Sequence, residues 1–182
     1  GGGNIKNIGY ILELNEEKRI KLIDELLQAR LVKLIEPDFL LFHPAMGPYL
    51  QQELSKEEYN KYTYSLAYLM SKMSDFLYKQ IFENTPVSSI LTKQELPNLM
   101  FLLGYVKEFG SPEQTVDLAS KFELLIGRLG RKRFLTQVIS IREQESGKLI
   151  EWSHAQFESK RVNIERMMEE GNLQQALTEA KS

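Results

Sequence analysis

The sequence predicts an all-α protein with one small β-hairpin near its N-terminus, its helices folded as antiparallel pairs and stacked as an α-solenoid. Three observations carry that prediction. From Ser55 onward, apolar residues recur at spacings of three and four. Helix-start and helix-stop residues punctuate the chain at short intervals, so consecutive helices must turn back on one another. The one stretch with strand character, between Leu31 and Phe42, is split by Pro37-Asp38.

The elements follow in order. Gly1, Gly2 and Gly3 carry no side-chain pattern and are set aside as a frayed end or cloning remnant. A helix is expected from Glu16 to Arg30, capped by Asn15, with Glu16 and Glu17 at the positive end of its dipole. Ile20, Ile23, Leu27 and Leu31 share one face. Leu31 to Ile35 and Phe39 to Phe42 then read as a hairpin around Pro37-Asp38. A helix followed by a hairpin is the closing half of a winged-helix unit. Its opening half is expected to be missing, because little chain precedes Glu16. His43 reads as a turn residue whose ring bonds the hairpin or the next helix, and Pro44 opens a short helix to Glu53.

Ser55-Lys56-Glu57-Glu58 is a capping box opening the longest helix, which runs to Asn84 and is about 43 Å long at ~1.5 Å per residue. Tyr59, Tyr62, Leu66, Leu69, Met73 and Phe76 form its expected buried stripe. Thr85 to Ser89 reads as a turn, and Thr92-Lys93-Gln94-Glu95 as a second capping box before a helix to Phe109. Pro97 either kinks that helix or moves its start towards Leu96. Gly110 then suits a helix stop. Ser111-Pro112-Glu113-Gln114 is the cleanest start signal, with Val116, Ala119, Phe122, Ile126 and Leu129 inward. Gly130 ends that helix. Another is expected from Arg131 to Glu145, with Phe134, Leu135, Val138 and Ile141 inward. After Ser146-Gly147 a polar helix from Leu149 to Glu170 is stopped by Gly171, and Asn172 caps a last helix. The sequence ends inside that helix, as expected of a fragment of a longer protein.

A faint internal repeat links Gly110-Ser111-Pro112-Glu113-Gln114 with Gly171-Asn172-Leu173-Gln174-Gln175. The interval from Gly130 to Gly171 is the length of one long, tetratricopeptide-like helix pair. Two domains are expected: 1–54, a partial winged-helix-like segment, and 55–182, the helical repeats.

Composition excludes several function classes. The 182 residues include no cysteine, which removes disulfides, thiolate catalysis and cysteine-based zinc sites. A net charge of −2 and a pI near 5.8 give no global basic excess for nucleic acid. No apolar run is long enough to span a bilayer and no signal peptide is visible.

Two phrases carry a family resemblance. Phe39-Leu40-Leu41-Phe42-His43-Pro44-Ala45-Met46-Gly47-Pro48-Tyr49-Leu50 resembles the segment after the wing in bacterial STAND-class signalling NTPases. Glu95-Leu96-Pro97-Asn98-Leu99, with the apolar helix and Gly110-Ser111-Pro112-Glu113-Gln114 that follow, resembles the start of their tetratricopeptide-like sensor region. The resemblance covers Ile20 to Ala180. It implies a cytoplasmic multidomain signalling protein whose NTPase module precedes this segment. No G-x-x-x-x-G-K-[ST] loop occurs here, so nucleotide binding is not carried over to these residues.

The expected function is therefore a non-enzymatic interaction scaffold, with no cofactor or metal. Its partner is a protein, a peptide or a neighbouring domain of the same full-length chain, with no membrane partner. The alternative is nucleic-acid binding through the winged-helix remnant and the basic cluster. The candidate contact residues are Tyr64, Arg128, Arg131, Lys132, Arg133 and Trp152. Tyr64 lies off the expected stripe. Arg131, Lys132 and Arg133 sit at a helix start, where the dipole disfavours cations. Trp152 either anchors its polar helix or faces a partner. His154 lies one turn from both Glu151 and Glu158, but the array reads as a solvated face extended by Arg161 and Glu165.

Overall fold

The computed structural model describes residues 2–35, 38–43, 45–149 and 153–181. They are mostly helical, with one small antiparallel sheet near the N-terminus, and they form two compact units. The first unit comprises residues 1–73 with 94–102, the second 74–93 with 103–182.

The first unit opens with elements the sequence did not disclose. Strand β1 (Gly2–Asn4) leads into helix α1 (Ile5–Ile11), then α2 (Glu16–Gln28), β2 (Val32–Ile35), β3 (Phe39–Phe42) and α3 (Met46–Glu53). Asn4 caps α1 by accepting from the Lys6 amide at 2.9 Å, and Asn15 caps α2 as expected, accepting from Lys18 at 2.9 Å. The predicted hairpin forms, with Val32 opposite Phe42 and Ile35 opposite Phe39. Asp38 makes its turn in the left-handed region at φ 56°. Pro37 and Pro44 lie outside the described residues. His43 behaves as a turn residue, its Nδ1 accepting from the Ala45 amide at 3.3 Å.

Two expectations are corrected here. Of the glycines set aside, Gly2 and Gly3 are strand: β1 pairs antiparallel with β3, Gly2 against Leu41, giving the sheet order β1-β3-β2. The helix said to be missing before α2 is α1. Seven residues containing Gly9 are too short to show a helical period, and glycines leave no alternation to read. Ile23, Val32 and Leu40 form the buried cluster, with Ile5, Ile8, Leu26, Leu27 and Phe42 packed on it. Ile20, expected inward, is exposed.

Gly2 is fixed by close approach. A Cβ there would stand 2.3 Å from the Leu40 carbonyl oxygen and 2.7 Å from the Phe39 ring. The Gly2 carbonyl also accepts from Asn98 Nδ2 at 2.9 Å, and the same amide group donates to Glu95 Oε2 at 2.7 Å.

Asn98 and Glu95 belong to α5 (Thr85–Phe109), which follows α4 (Lys56–Glu83). The Ser55 capping box forms, Ser55 Oγ accepting from the Glu58 amide and Glu58 Oε2 from the Ser55 amide. The buried stripe of α4 is not the one expected. It is Ala67, Met70, Ser74, Leu77 and Ile81, while Tyr59 and Phe76 are exposed. The period of three and four is right and its phase is shifted by one position. Weighting the largest side chains misleads, because small residues are what let a neighbouring backbone approach closely. Ser88 Oγ donates to the Leu77 carbonyl at 3.0 Å. Thr85 to Ser89 is not a turn but the first part of α5: Asn84 caps it, accepting from Val87, and Pro86 falls in the first turn, where its missing N–H costs nothing. The Thr92–Glu95 box is therefore mid-helix, with Thr92 and Glu95 buried, and the helix runs on through Pro97, which is exposed.

The second unit adds α6 (Pro112–Gly127), α7 (Lys132–Ser146), α8 (His154–Glu169) and α9 (Leu173–Lys181). The Ser111 capping box is complete, and Val116, Ala119, Phe122 and Ile126 are fully buried as the periodicity predicts. The polar helix expected from Leu149 begins at His154, because Ser153 and Gln156 form a second complete capping box. Ser111 and Ser153 stand 42 positions apart. Gly130 and Gly171, 41 positions apart, both take left-handed backbone, at φ 64° and 81°. The helix stops at Gly130 and Gly171 thus share one backbone geometry. Gly110, likened to Gly171 in sequence, does not share it, since it is extended at φ −96°. Helix α6 packs on both α7 and α8, α8 packs on α9, and α7 touches α8 only lightly.

Two tests follow. Gly2→Ala is expected to lower the free energy of unfolding by about 1–3 kcal/mol in urea denaturation, since it forces β1 off β3. Burial pushes the Glu95 carboxyl above its ordinary value, with the Asn98 amide opposing. The folded chain therefore holds that proton more tightly than the unfolded chain. Stability from this group is complete below the ordinary glutamate value and is lost as pH rises through the raised one. Melting temperatures measured across that window are expected to fall in the native protein and to lose this component in Glu95→Gln.

Candidate partner-binding groove

The groove lies wholly in the second unit and is set by a buried charge cluster. Arg142 of α7 is buried, as is Glu123 of α6. Arg142 Nε donates to Glu123 Oε2 at 2.9 Å, and Nη1 donates to the Ser159 carbonyl at 2.8 Å and to Ser159 Oγ at 2.5 Å. Ser146 Oγ lies 3.1 Å from the same hydroxyl. Arg166 of α8 bridges Glu123 at 3.5 Å and Glu143 at 3.6 Å. Three helices thus meet on one guanidinium. Burial pushes the Glu123 carboxyl up, while Arg142 and Arg166 pull it down without fully offsetting that cost.

With α8 held there, its polar face and those of α6 and the end of α4 bound two joined depressions. One, of about 510 Å³, is lined by Tyr78, Asp117, Lys121, His154 and Glu158 among others. The other, of about 360 Å³, reaches Arg128, Glu165 and Glu169. Phe82, Leu124, Arg161 and Val162 line both. Phe82 is 73% exposed and stands edge-on to Tyr78, ring centres 5.6 Å apart.

The groove's cations are held in place. Lys121 Nζ lies 3.0 Å from Asp117 and 3.3 Å from Asp75. Burial works against its charge, but the two carboxylates outweigh it and hold the amine above its usual range. Arg161 donates to Glu158 at 2.8 Å and to Glu165 at 2.5 Å, and these bonds, Glu158 first, raise its pKa against some burial. The expected i,i+3 and i,i+4 pairs on this helix are therefore present. Among the described residues no three histidine or acidic side chains are grouped to hold a metal.

The sequence candidates scatter. Arg128 lines the groove's far end. Arg131, Lys132 and Arg133 are exposed at the start of α7, where Arg131 is an N-cap without a side-chain cap bond. Tyr64 is 64% exposed on α4, in the first unit, and is not among the residues that line the groove. Trp152 and Glu151 lie outside the described residues. Sequence reasoning missed Tyr78, Phe82 and Lys121. The available signal was the buried stripe of α4 in its true phase, which leaves Tyr78 and Phe82, four apart, on a different face.

No protein-family model matches this chain, and neither a curated protein nor a solved structure matches it significantly.

Arg142→Met is expected to destabilise the protein by about 3–5 kcal/mol, because Glu123 is left buried without its main partner. The double variant Glu123→Met, Arg142→Met should lose clearly less than the two single changes together, read by thermal or urea unfolding.

Proposed function

We propose that this chain is a non-enzymatic interaction scaffold, a tetratricopeptide-like stack of helix pairs that takes a segment of a partner protein in the groove of α4, α6 and α8. The carrying observation is Phe82: a large aromatic, mostly exposed, where two depressions join and ion-paired charges form the rim. Binding energy concentrates at such anchors when a ring of polar contacts excludes water around them. Balanced charge along the walls, from Asp117 and Lys121 to Glu158 and Arg161, favours a ligand of mixed charge over a polyanion.

The first unit supports a part in a larger signalling protein. A strand, two helices and a hairpin in the sheet order β1-β3-β2 is the connectivity of a winged helix from its first strand onward. This agrees with the resemblance to STAND-class signalling NTPases, which are cytoplasmic. The reading of that unit as a nucleic-acid binder is not favoured. Helix α2 stands where a recognition helix would, yet it carries four acidic and three basic residues, and Arg19 and Lys21 are engaged with Glu16 and Glu25. Among the described residues no helix is long and apolar enough to cross a membrane.

A displayed random-peptide library panned on the folded protein is expected to enrich a peptide family. Its binding should fall about tenfold or more in Phe82→Asp and in Arg161→Glu, with circular dichroism unchanged. No enrichment, or enriched peptides indifferent to both variants, would remove the proposal.

A further inference from the structure

The 510 Å³ depression of the groove carries more negative charge than its lining alone suggests. On its walls Asp117 and Glu158 are matched in number by Lys121 and Arg161. Each of those cations, however, is shared with a second carboxylate. Lys121 lies between Asp117 and Asp75, and Arg161 between Glu158 and Glu165. Four carboxylates and two cations sum to a net charge of −2. Lys121 keeps its proton, because those acids outweigh the cost of its burial. An acidic ligand group would therefore meet resident acids on both sides of each cation. A basic group would meet charge that nothing in the depression offsets.

The aromatic corner points to the same chemistry. Tyr78 and Phe82 stand one helical turn apart with their rings at 80°, and Phe82 is 73% exposed, leaving most of its ring open. An aromatic face attracts a cation through its quadrupole, and a flat, weakly hydrated guanidinium stacks on it where an ammonium does not. Leu124 and Val162 line the same depression and offer apolar surface to the carbon stem of a long basic side chain. We infer that this depression is a socket for an arginine of the partner, its guanidinium stacked on Phe82 and directed at Asp117 and Glu158. The inference rests on the groove being the partner-binding site, and it gives that partner its chemistry: an arginine flanked by apolar residues. A lysine would bring the charge without the flat surface, and a glutamate would add to the excess of acid.

The probes are end-capped tripeptides with leucine at both ends and arginine, lysine, norleucine or glutamate between them. Each is titrated into the isotope-labelled intact protein at about pH 8, above the ordinary histidine value, and followed by amide shifts in NMR spectra. The arginine peptide is expected to saturate and to bind about tenfold or more tightly than the norleucine peptide, with its largest shifts around Tyr78, Phe82 and Asp117. Lysine should fall between them, glutamate should bind worst, and added salt should shrink the arginine advantage. The double variant Asp117→Asn, Glu158→Gln should erase that advantage, and Phe82→Leu should bring arginine down to lysine. Absence of saturable binding overturns the inference. So does an arginine peptide no better than the lysine or norleucine peptide, or an advantage that survives the double variant. If the double variant does not fold, Asp117→Asn alone decides, since Lys121 keeps Asp75. The groove itself is judged apart from this: library peptides that depend on Phe82 but carry no basic residue would retain the groove and remove its arginine socket.

Discussion

The ion pair between Arg142 and Glu123 is the constraint on which the second unit turns. Neither group can leave water without the other, and the guanidinium fork has more donors than one carboxylate takes up. Its second arm therefore reaches Ser159 on α8. A helix with a weak apolar stripe, burying only Ala155, Ser159 and Val162, is thereby fixed in position by polar geometry rather than by greasy area. The groove walls inherit that fixity, since Lys121, Glu158 and Arg161 stand on the helices so joined.

The first unit solves a smaller problem in a comparable way. Strand β1 is three residues long and brings little apolar surface. Its hold beyond the ladder is one side-chain amide: Asn98 donates to the Gly2 carbonyl and to Glu95. Burying that carboxyl costs stability as it ionises, and the amide offsets part of the cost.

How far the sequence disclosed this follows from how local each determinant is. The helices α2, α6, α7 and α9, the hairpin, and the caps at Asn15, Ser55 and Ser111 are written in adjacent residues and could be read directly. The start of α5 could not, because Asn84-Thr85-Pro86 has the composition of a turn and becomes a helix start only where Ser88 and Thr92 find a neighbour to pack on. The true stripe of α4 was hidden because helix proximity selects Ala67 and Ser74, which hydropathy ignores. The groove was least legible. Glu158, Arg161 and Glu165 look like any solvated helix face, and nothing in their spacing says that Phe82, more than seventy positions earlier, lies alongside. Of the basic cluster only Arg128 joins them, since Gly130 turns the chain before Arg131.

The last helix carries a consequence of its own. Of the nine residues in α9, only Ala176 is buried, and the helix packs chiefly on α8. Its amides should exchange with solvent long before those of α6, whose apolar face is sealed on several sides. Loosening of this unit would then proceed inward from one end, and whatever settled on that end would act as a keystone, raising the protection of helices it never touches.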